Sequence, residues 1–150
     1  MPNAVFDSTV LVSAFLTRRG VAAVLLRHAH EGAFSAFLSE EILTETQRVL
    51  LDDERRIRRR YHYPNESVHL FIDGLRDIIP VVTDLPPVTA VARDPKDDMV
   101  IATALKARAS YIITRDDDLL ALGQYEDITM ITPEAFMGLL REQGRVRCFP

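Results

Sequence analysis

Several acidic side chains stand where helix caps and solvated surfaces do not explain them. Asp7 directly follows the apolar run AVF, and Asp116 comes just beyond the apolar run YII. Both are expected at the carboxyl ends of strands, where open α/β sheets place their ligand sites. Asp118 is the alternative candidate to Asp116, because one acid of the run DDD is expected to cap the next helix. Judged alone, Asp7 also fits an ordinary turn.

Glu45 lies on the apolar stripe of a predicted helix. It comes three residues after Ile42 and four before Val49, spacings that place the three side chains on one helix face. Ser39 is the expected N-cap of this helix, and the helix N-terminus accounts for the two glutamates that follow it. The position of Glu45 also suits a partly exposed glutamate at the edge of the stripe.

Asp98 is the acid that local structure leaves unexplained in the run DPKDDMVIATAL. With Asp94 as N-cap and Pro95 at the first helical position, Asp97 falls at the third and completes an arrangement close to a capping box. Asp98 then extends the buried face of the helix. Its neighbours three, four and seven residues on are Ile101, Ala102 and Leu105. A carboxylate on that face costs several kcal/mol unless positive charge meets it.

These acids can converge on one site. If Asp7 and Asp116 end parallel strands, they lie at one edge of the sheet, where Glu45 and Asp98 on flanking helices can meet them. Two carboxylates about 4 Å apart repel each other by roughly 4 kcal/mol at the effective dielectric of a protein surface. A divalent cation removes the repulsion, and oxygen ligands favour Mg²⁺ or Mn²⁺ over zinc. Because such an ion activates water and stabilises phosphoryl charge, the pattern predicts phosphodiester hydrolysis.

Short apolar runs alternate with longer helical ones, the pattern of an α/β domain with a mainly parallel sheet. The predicted strands are residues 4–6, 33–38, 78–82, 111–114 and 127–132. Helices are predicted in the runs VAAVLLRHAHE, SEEILTETQRVLL, ESVHLFIDGLRDII, KDDMVIATALKAR and TPEAFMGLLREQG. We expect one domain over residues 1–150, because neither a repeat nor a low-complexity linker divides the chain.

Composition restricts the chemistry but not the partner. With 150 residues, of which 47% are hydrophobic, the chain is large enough for one well-buried core. Its 22 acidic and 18 basic residues neither require nor exclude a nucleic-acid partner. The single cysteine, Cys148, excludes an intramolecular disulfide and a thiolate zinc site. Since there is neither a signal-like N-terminus nor an apolar run of about 18 residues, we expect a cytoplasmic protein without a membrane span.

The four acidic segments, in this order and spacing, resemble the motifs of the PIN domain, the metal-dependent ribonuclease fold of VapC-type toxins. FDSTVLVSAF is similar to the family's opening motif, ILTETQRVL to its helical glutamate, DPKDDMVIATAL to its third acidic motif and ITRDDDLLAL to its fourth. The resemblance implies a three-layer α/β/α sandwich around a mainly parallel sheet of about five strands. It also implies Mg²⁺ or Mn²⁺ dependence and cleavage of single-stranded RNA. Carried over by position, it makes the catalytic and metal-binding acids Asp7, Glu45, Asp98 and Asp116, with Asp118 in reserve.

Thr9 is the main departure from the family pattern. Members often have asparagine at this place, two residues after the first aspartate, but a threonine hydroxyl can still bond a carboxylate or a metal-bound water. Thr114 is expected to orient Asp116 or to touch a phosphate, although both threonines also suit plain strand packing or capping. Within the family, the chain most resembles the toxin components of toxin-antitoxin systems. That resemblance implies a cognate antitoxin and a homodimer.

A basic segment, DDERRIRRRYHYPNE, is the predicted contact for RNA. Arginines neutralise phosphates, and aromatic rings stack on unpaired bases. The expected contacts are Arg55, Arg56, Arg58, Arg59, Arg60, Tyr61 and Tyr63. The same segment also fits a solvated basic helix that pairs with its own three acids, and in a toxin it would suit an acidic antitoxin tail.

Two other functions fit parts of the pattern. A haloacid-dehalogenase-like phosphatase also begins with a strand and an aspartate, and Asp7 would be its nucleophile. Those enzymes usually carry a second aspartate two residues later, where this chain has Thr9. A catalytically silent PIN-like module that only binds RNA or protein is the other alternative, and intact acids at all four positions argue against it.

Overall fold

The computed structural model describes residues 1–53, 56–89, 91 and 94–147, and of Arg56 the backbone alone. Within these residues a six-stranded sheet is flanked by helices. The strands are β1 (Asn3–Phe6), β2 (Ser35–Ser39), β3 (Val81–Val82), β4 (Tyr111–Ile113), β5 (Gln124–Tyr125) and β6 (Ile128–Ile131). The helices are α1 (Ser8–Leu16), α2 (Val21–His30), α3 (Glu40–Leu51), α4 (Arg56–Tyr61), α5 (Asn65–Ile78), α6 (Pro95–Ala107), α7 (Asp117–Leu122) and α8 (Pro133–Glu142).

The strand order places a ligand site between two central strands. The order is β3-β2-β1-β4-β6-β5, and each pairing is parallel except that of β5 with β6. From β1 the chain adds β2 and β3 on one side, and then β4 and β6 on the other. The strand order therefore reverses between β1 and β4, which is the usual position of a ligand in an open α/β sheet.

The predicted α/β class with a mainly parallel sheet is confirmed, with one strand more than expected. The additional strand, β5, has two residues and runs antiparallel to β6. A strand this short cannot show the alternation by which strands are recognised in a sequence. Residue 78, predicted to begin a strand, instead ends α5, so that β3 is confined to Val81–Val82.

The two central strands are buried except at their first residues, which are partly buried, as expected for parallel strands covered by helices. Ala4, Val5 and Phe6 of β1 are fully buried, and so are Ile112 and Ile113 of β4. In the register of the sheet, Phe6 lies beside Ile113. The chain leaves both strands at the same edge, so the residues that follow them are close in space.

The sequence pattern does not predict α1, which begins directly after Asp7. The run STVLVSAFL is apolar nearly all round, and Val10, Leu11 and Val12 are all buried. No polar face therefore marks a helical period. The helix begins where it does because Asp7 is its N-cap, whose side chain accepts a hydrogen bond from the Ser8 N–H.

α1 and α2 pack against each other and meet at a bend of 104°. Only together do they have the length and apolar composition of a membrane span. Within the described ranges, no single helix has both.

α3 and α6 are joined by a buried pair of hydroxyls. Ser39 caps α3 as predicted, because its Oγ accepts from the Ile42 N–H at 3.3 Å. The same Oγ lies 2.8 Å from the Thr103 Oγ1 of α6. Both side chains are fully buried. This contact positions the two helices that carry Glu45 and the paired aspartates of α6.

Candidate metal centre

Asp7 is buried at the carboxyl end of β1, and both of its oxygens accept hydrogen bonds. Its Oδ1 accepts from the Ser8 N–H at 2.8 Å, and its Oδ2 accepts from the hydroxyls of Thr9 and Thr114, each at 2.7 Å. Burial raises the pKa of the Asp7 carboxyl, and these hydrogen bonds oppose the rise because they stabilise the ionised form. Repulsion from Asp116 adds a smaller increase.

Two threonine hydroxyls connect the ends of β1 and β4. The Thr9 Oγ1 that donates to Asp7 also accepts from the Arg115 N–H at 3.0 Å. The Thr114 Oγ1 that donates to Asp7 accepts from the Asp116 N–H at 2.9 Å. Each hydroxyl thus donates a hydrogen bond to Asp7 and accepts one from a backbone N–H of the chain after β4. The network holds Asp7, at the end of β1, close to Asp116, just after β4.

Asp97, at the third position of α6, is a buried carboxyl with an unsatisfied oxygen. It is 7% exposed, and its Oδ2 has no hydrogen-bond partner among the described residues. One of its carboxylate oxygens lies within 4.8 Å of an oxygen each from Asp116 and Asp118. Burial, followed by hydrogen bonding and repulsion from Asp116 and by repulsion from Asp7, raises the pKa of Asp97 to about 8.

The structure does not give Asp97 the capping role that the sequence pattern predicts. Asp94 is the N-cap, as expected, and its side chain accepts from the Lys96 N–H at 3.0 Å. The carboxyl of Asp97 lies instead beside Asp116, in the acidic cluster. Asp97 is therefore a candidate site residue that sequence reasoning missed.

Asp98, the residue of α6 predicted for the site, is 5% exposed and lies outside the described lining of the cavity that contains Asp7. The physical reason is that residues 100–104 of α6 are all buried. Where a helix is buried over most of its circumference, apolar spacing cannot choose between adjacent positions. The signal for Asp97 was equally strong. Its neighbours three, four and seven residues on are Val100, Ile101 and Ala104.

A cavity of about 380 Å³ at the carboxyl edge of the sheet brings most of the candidates together. Of the residues predicted for the site, the described lining contains Asp7, Thr9, Glu45 and Asp116. Five further polar residues that the sequence analysis did not assign to the site also line it: Ser8, Glu41, Asp94, Lys96 and Asp97. The cavity therefore combines a cluster of acids with one ammonium group.

Glu45 reaches this cavity from α3, together with Ile42 and Val49, the neighbours that its helical spacing predicts. Its side chain is 19% exposed, and its Oε1 lies 2.7 Å from the Arg48 Nη2 and 3.6 Å from the Lys96 Nζ. The Arg48 guanidinium, more than the Lys96 ammonium, holds the pKa of Glu45 below its usual value. Glu45 is therefore a charged carboxylate at the edge of the cavity.

The donor set fits a hard divalent cation. At this separation of 4.8 Å or less, ionised carboxylates repel each other by roughly 3 kcal/mol per pair at an effective dielectric of about 20. The orphaned Oδ2 of Asp97 needs a partner that the described residues do not supply. The polar side chains that line the cavity include neither histidine nor cysteine among the described residues. Oxygen ligands of this kind suit Mg²⁺ or Mn²⁺.

The predicted RNA contacts fall into two groups. Arg58 pairs with Asp53 at 3.1 Å, and its guanidinium lies 5.4 Å from the ring centroid of Tyr63. The Tyr63 hydroxyl donates to the Leu50 carbonyl at 2.7 Å, so both side chains are engaged within the protein. The exposed members are Arg59, Arg60 and Tyr61. Arg55 and the side chain of Arg56 lie outside the described residues.

Comparison with known proteins bears on the family that the acidic segments resemble. A family model described as PIN domain matches residues 3–118 of the chain. The match begins at β1 and ends inside α7, so it includes every acid of the candidate site. No curated protein matches the chain.

Proposed function

The chain belongs to the PIN domain family, a fold of metal-dependent nucleases, and from this premise we propose that it is an endoribonuclease that uses Mg²⁺ or Mn²⁺ to hydrolyse phosphodiester bonds of single-stranded RNA. The observation that carries the proposal is the buried Oδ2 of Asp97, which lacks a partner among the described residues and stands in a cluster with Asp116 and Asp118. A buried acid of this kind is costly to ionise unless a cation meets it.

In the proposed site, Asp97, Asp116 and Asp118 would hold the cation, and Asp7 would add a fourth carboxylate. A bound Mg²⁺ or Mn²⁺ would supply a water of lowered pKa and neutralise charge on the scissile phosphate. The Asp7 carboxylate keeps one orientation because hydrogen bonds engage both of its oxygens. A fixed carboxylate needs no rearrangement when charge develops nearby.

Glu45 and Lys96 supply the remaining charges of the proposed site. Arg48 donates to both oxygens of Glu45 and lowers the pKa of its carboxyl, so Glu45 contributes a negative charge at the edge of the cavity. The Lys96 ammonium lines the same cavity and offers a positive charge to a phosphate group. The two side chains therefore stand where the substrate would enter.

We assign to Asp97 the metal-binding role that the family resemblance implies for Asp98. The assignment follows from position, since Asp97 lines the cavity and lies beside Asp116. Asp98 is the adjacent buried acid and stays the alternative ligand. The two assignments make opposite predictions for the effect of an aspartate-to-asparagine substitution at each position.

The substrate and partner assignments rest on the family resemblance and on surface charge. Exposed Arg59 and Arg60 beside an exposed aromatic ring, Tyr61, suit a flexible single strand with accessible bases. The resemblance to VapC-type toxins supports a toxin role, with a cognate antitoxin whose acidic tail would meet the same arginines. It also supports a homodimer.

The phosphatase alternative is less consistent with the site. Haloacid-dehalogenase-like phosphatases usually carry a second aspartate two residues after the nucleophile, where this chain has Thr9, and the Thr9 hydroxyl donates to the Asp7 Oδ2 at 2.7 Å. The family match to the PIN domain points in the same direction.

The proposal predicts Mn²⁺-dependent cleavage of a labelled single-stranded RNA that EDTA abolishes. Asp7→Asn and Asp116→Asn should each reduce kcat/KM by at least about 10²-fold, the scale of removing one charged group from such a site. Asp127→Asn, an exposed acid in the turn between β5 and β6, is the matched control and should keep wild-type activity. Full activity in either site variant would refute the assignment. Metal-independent binding without cleavage by the wild type would identify a silent module.

A further inference from the structure

A second cavity, of about 510 Å³, lies at the far end of α1 from the metal site. Its described lining comes from the end of α1, from Tyr61 and Tyr63 in and just after α4, and from one face of α5. The α5 residues are Ser67, Leu70 and Phe71, at the i, i+3 and i+4 spacing that places side chains on one helix face. The volume is within the range of small-ligand sites, about 300–1,000 Å³.

The floor of this cavity is a fixed set of aromatic rings. The Phe15 ring meets the rings of Tyr63 and Phe71 edge-on, with centroids 4.9 and 5.2 Å apart. The hydrogen bond from the Tyr63 hydroxyl to the Leu50 carbonyl holds one of these rings in place. Tyr61 and Leu70, by contrast, are 43% and 65% exposed at the opening. The cavity thus offers flat apolar surface that is already ordered.

The opening of the cavity is positively charged. Arg18 lines it, and the guanidinium of Arg60 lies 5.7 Å from the ring centroid of Tyr61. Neither arginine takes part in an ion pair with any described residue. Two cations beside exposed rings suit a ligand that combines phosphate groups with planar apolar rings.

Two helices lead from the metal site to this cavity. Thr9 and Val12 of α1 line the metal site, and Leu16 of α1 lines the second cavity. Their i, i+3 and i+7 spacing puts them on one helix face. In α4, Ile57 lines the first cavity and Tyr61, four residues on, the second. The seven helical steps from Thr9 to Leu16 rise about 10 Å, which equals roughly three nucleotides of a stacked strand.

We propose that this cavity binds a nucleobase of single-stranded RNA two or three nucleotides away from the phosphate that is cleaved. This inference rests on the proposed function and adds a second subsite to it. The nucleobase stacks on the aromatic rings, and Arg18 and Arg60 contact the backbone beside it. RNA is preferred to a protein segment as occupant because α1 and α4 each line both the metal site and this cavity, and because Arg18 and Arg60 beside it form no ion pair with any described residue.

The test compares two single-stranded hexanucleotides of equal charge in EDTA: fluorescein-labelled hexa-adenylate, and the same backbone without bases. Wild-type protein should bind the first more tightly. Tyr61→Ala removes the exposed ring, and Ser67→Trp fills the cavity from its wall. Each should weaken binding of hexa-adenylate by roughly 5- to 150-fold, the range for losing one base–aromatic stack, with little change for the abasic strand. Tyr61→Phe and Ser67→Ala are the matched controls and should retain the wild-type ratio of affinities.

The outcomes separate this inference from the proposed function. If Tyr61→Ala and Ser67→Trp keep the wild-type ratio of affinities, or if the wild type shows no preference for bases, the subsite is refuted whether or not RNA is cleaved. That result would also be expected if a protein segment occupied the cavity. If the variants lose the preference but wild-type protein does not cleave RNA with Mn²⁺, the subsite stands and the hydrolytic function fails. Thermal unfolding of each variant shows that it is folded, and Tyr61→Ala alone decides if Ser67→Trp is not.

Discussion

Asp7 and Asp97 are two buried carboxyl groups of one cavity, 2% and 7% exposed. They differ in the hydrogen bonds that the rest of the protein donates to them. Asp7 accepts hydrogen bonds on both oxygens, whereas the Oδ2 of Asp97 has no partner in the part of the chain that the structure describes. Burial raises the pKa of both, but only for Asp7 do hydrogen bonds oppose the rise. Burial alone therefore does not mark a cation ligand. The distinguishing feature is whether the protein itself supplies the donors.

The difference has a structural origin in the two elements. The end of β1 lies beside the end of β4, so that two threonine hydroxyls and one helix N–H converge on Asp7. At the start of α6, the Lys96 N–H donates to Asp94, the N-cap. Asp97 is one helical turn further along, close to other acids. A bound cation would therefore supply the Asp97 Oδ2 with the partner that the described residues do not provide.

Removal of one negative charge at the start of α6 is expected to have the largest effect, a loss of RNA cleavage. Asp97→Asn keeps the shape of the side chain but removes its charge, so we expect kcat/KM for Mn²⁺-dependent RNA cleavage to fall by at least about 10³-fold. Asp98→Asn, the adjacent buried control, should lose less than about 10-fold, or about 1.4 kcal/mol. The measurement is cleavage of a fluorescent single-stranded oligonucleotide at saturating Mn²⁺. The reverse order would return the metal-binding role to Asp98.

The pH dependence of stability should show the second largest effect. Without metal, the pKa of Asp97 is raised from 3.8 to about 8, so the folded state keeps a proton between about pH 4 and pH 8 that the unfolded state has lost. Unfolding then releases a proton, and the free energy of unfolding falls as pH rises through this window. The contribution of Asp97 is at most about 1.4 kcal/mol per pH unit. Urea unfolding in EDTA should show the slope, and Asp97→Asn should reduce it.

Two controls define that measurement. Asp7 also has a raised pKa, so part of the slope should persist in Asp97→Asn. Asp127→Asn, at an exposed turn, should keep the whole slope. If Asp97→Asn unfolds with the wild-type pH dependence, the burial and repulsion attributed to Asp97 do not act in solution.

The acids at strand ends were predictable because a local pattern places them. Asp7 follows the apolar run of β1 at once, and Asp116 comes three residues after Ile113 of β4. In a parallel sheet, such positions are at the edge where ligands bind, whatever the details of packing. The strand order that brings the two ends together belongs to the whole fold, and the alternation of strands and helices indicates only its class.

Which of Asp97 and Asp98 lines the cavity was not predictable, because it depends on how α6 is rotated about its axis. α6 packs against β1, β2, β3 and β4, and these contacts set the rotation. No spacing within the helix carries that information when both candidates have apolar neighbours at every helical interval. The bond from Thr114 to Asp7 was hidden for a similar reason, since 107 residues separate its partners. It exists because β1 pairs with β4.

The smallest effect is expected from removing the threonine hydroxyls that donate hydrogen bonds to Asp7. Thr114→Val preserves shape but removes one hydrogen bond to the Asp7 Oδ2 and the acceptor of the Asp116 N–H. Leaving buried groups short of partners should lower the free energy of unfolding by about 1–3 kcal/mol. Thr9→Val removes the other hydroxyl at a partly exposed position, where water can replace it, and should cost about 1 kcal/mol or less. Urea unfolding in EDTA measures both.

A double-mutant cycle shows whether the stability lost in Thr114→Val comes from the lost hydrogen bond to Asp7. If the hydroxyl acts by holding the carboxylate, Thr114→Val should cost less in an Asp7→Asn background, by a coupling of about 0.5–3 kcal/mol. Equal costs in the two backgrounds would mean that Thr114 stabilises only the chain after β4. Asp7 would then owe its fixed position to Ser8 and Thr9 at its own strand end. A measured coupling would establish Asp7 as an acid held by the fold, in contrast to Asp97, which a cation must satisfy.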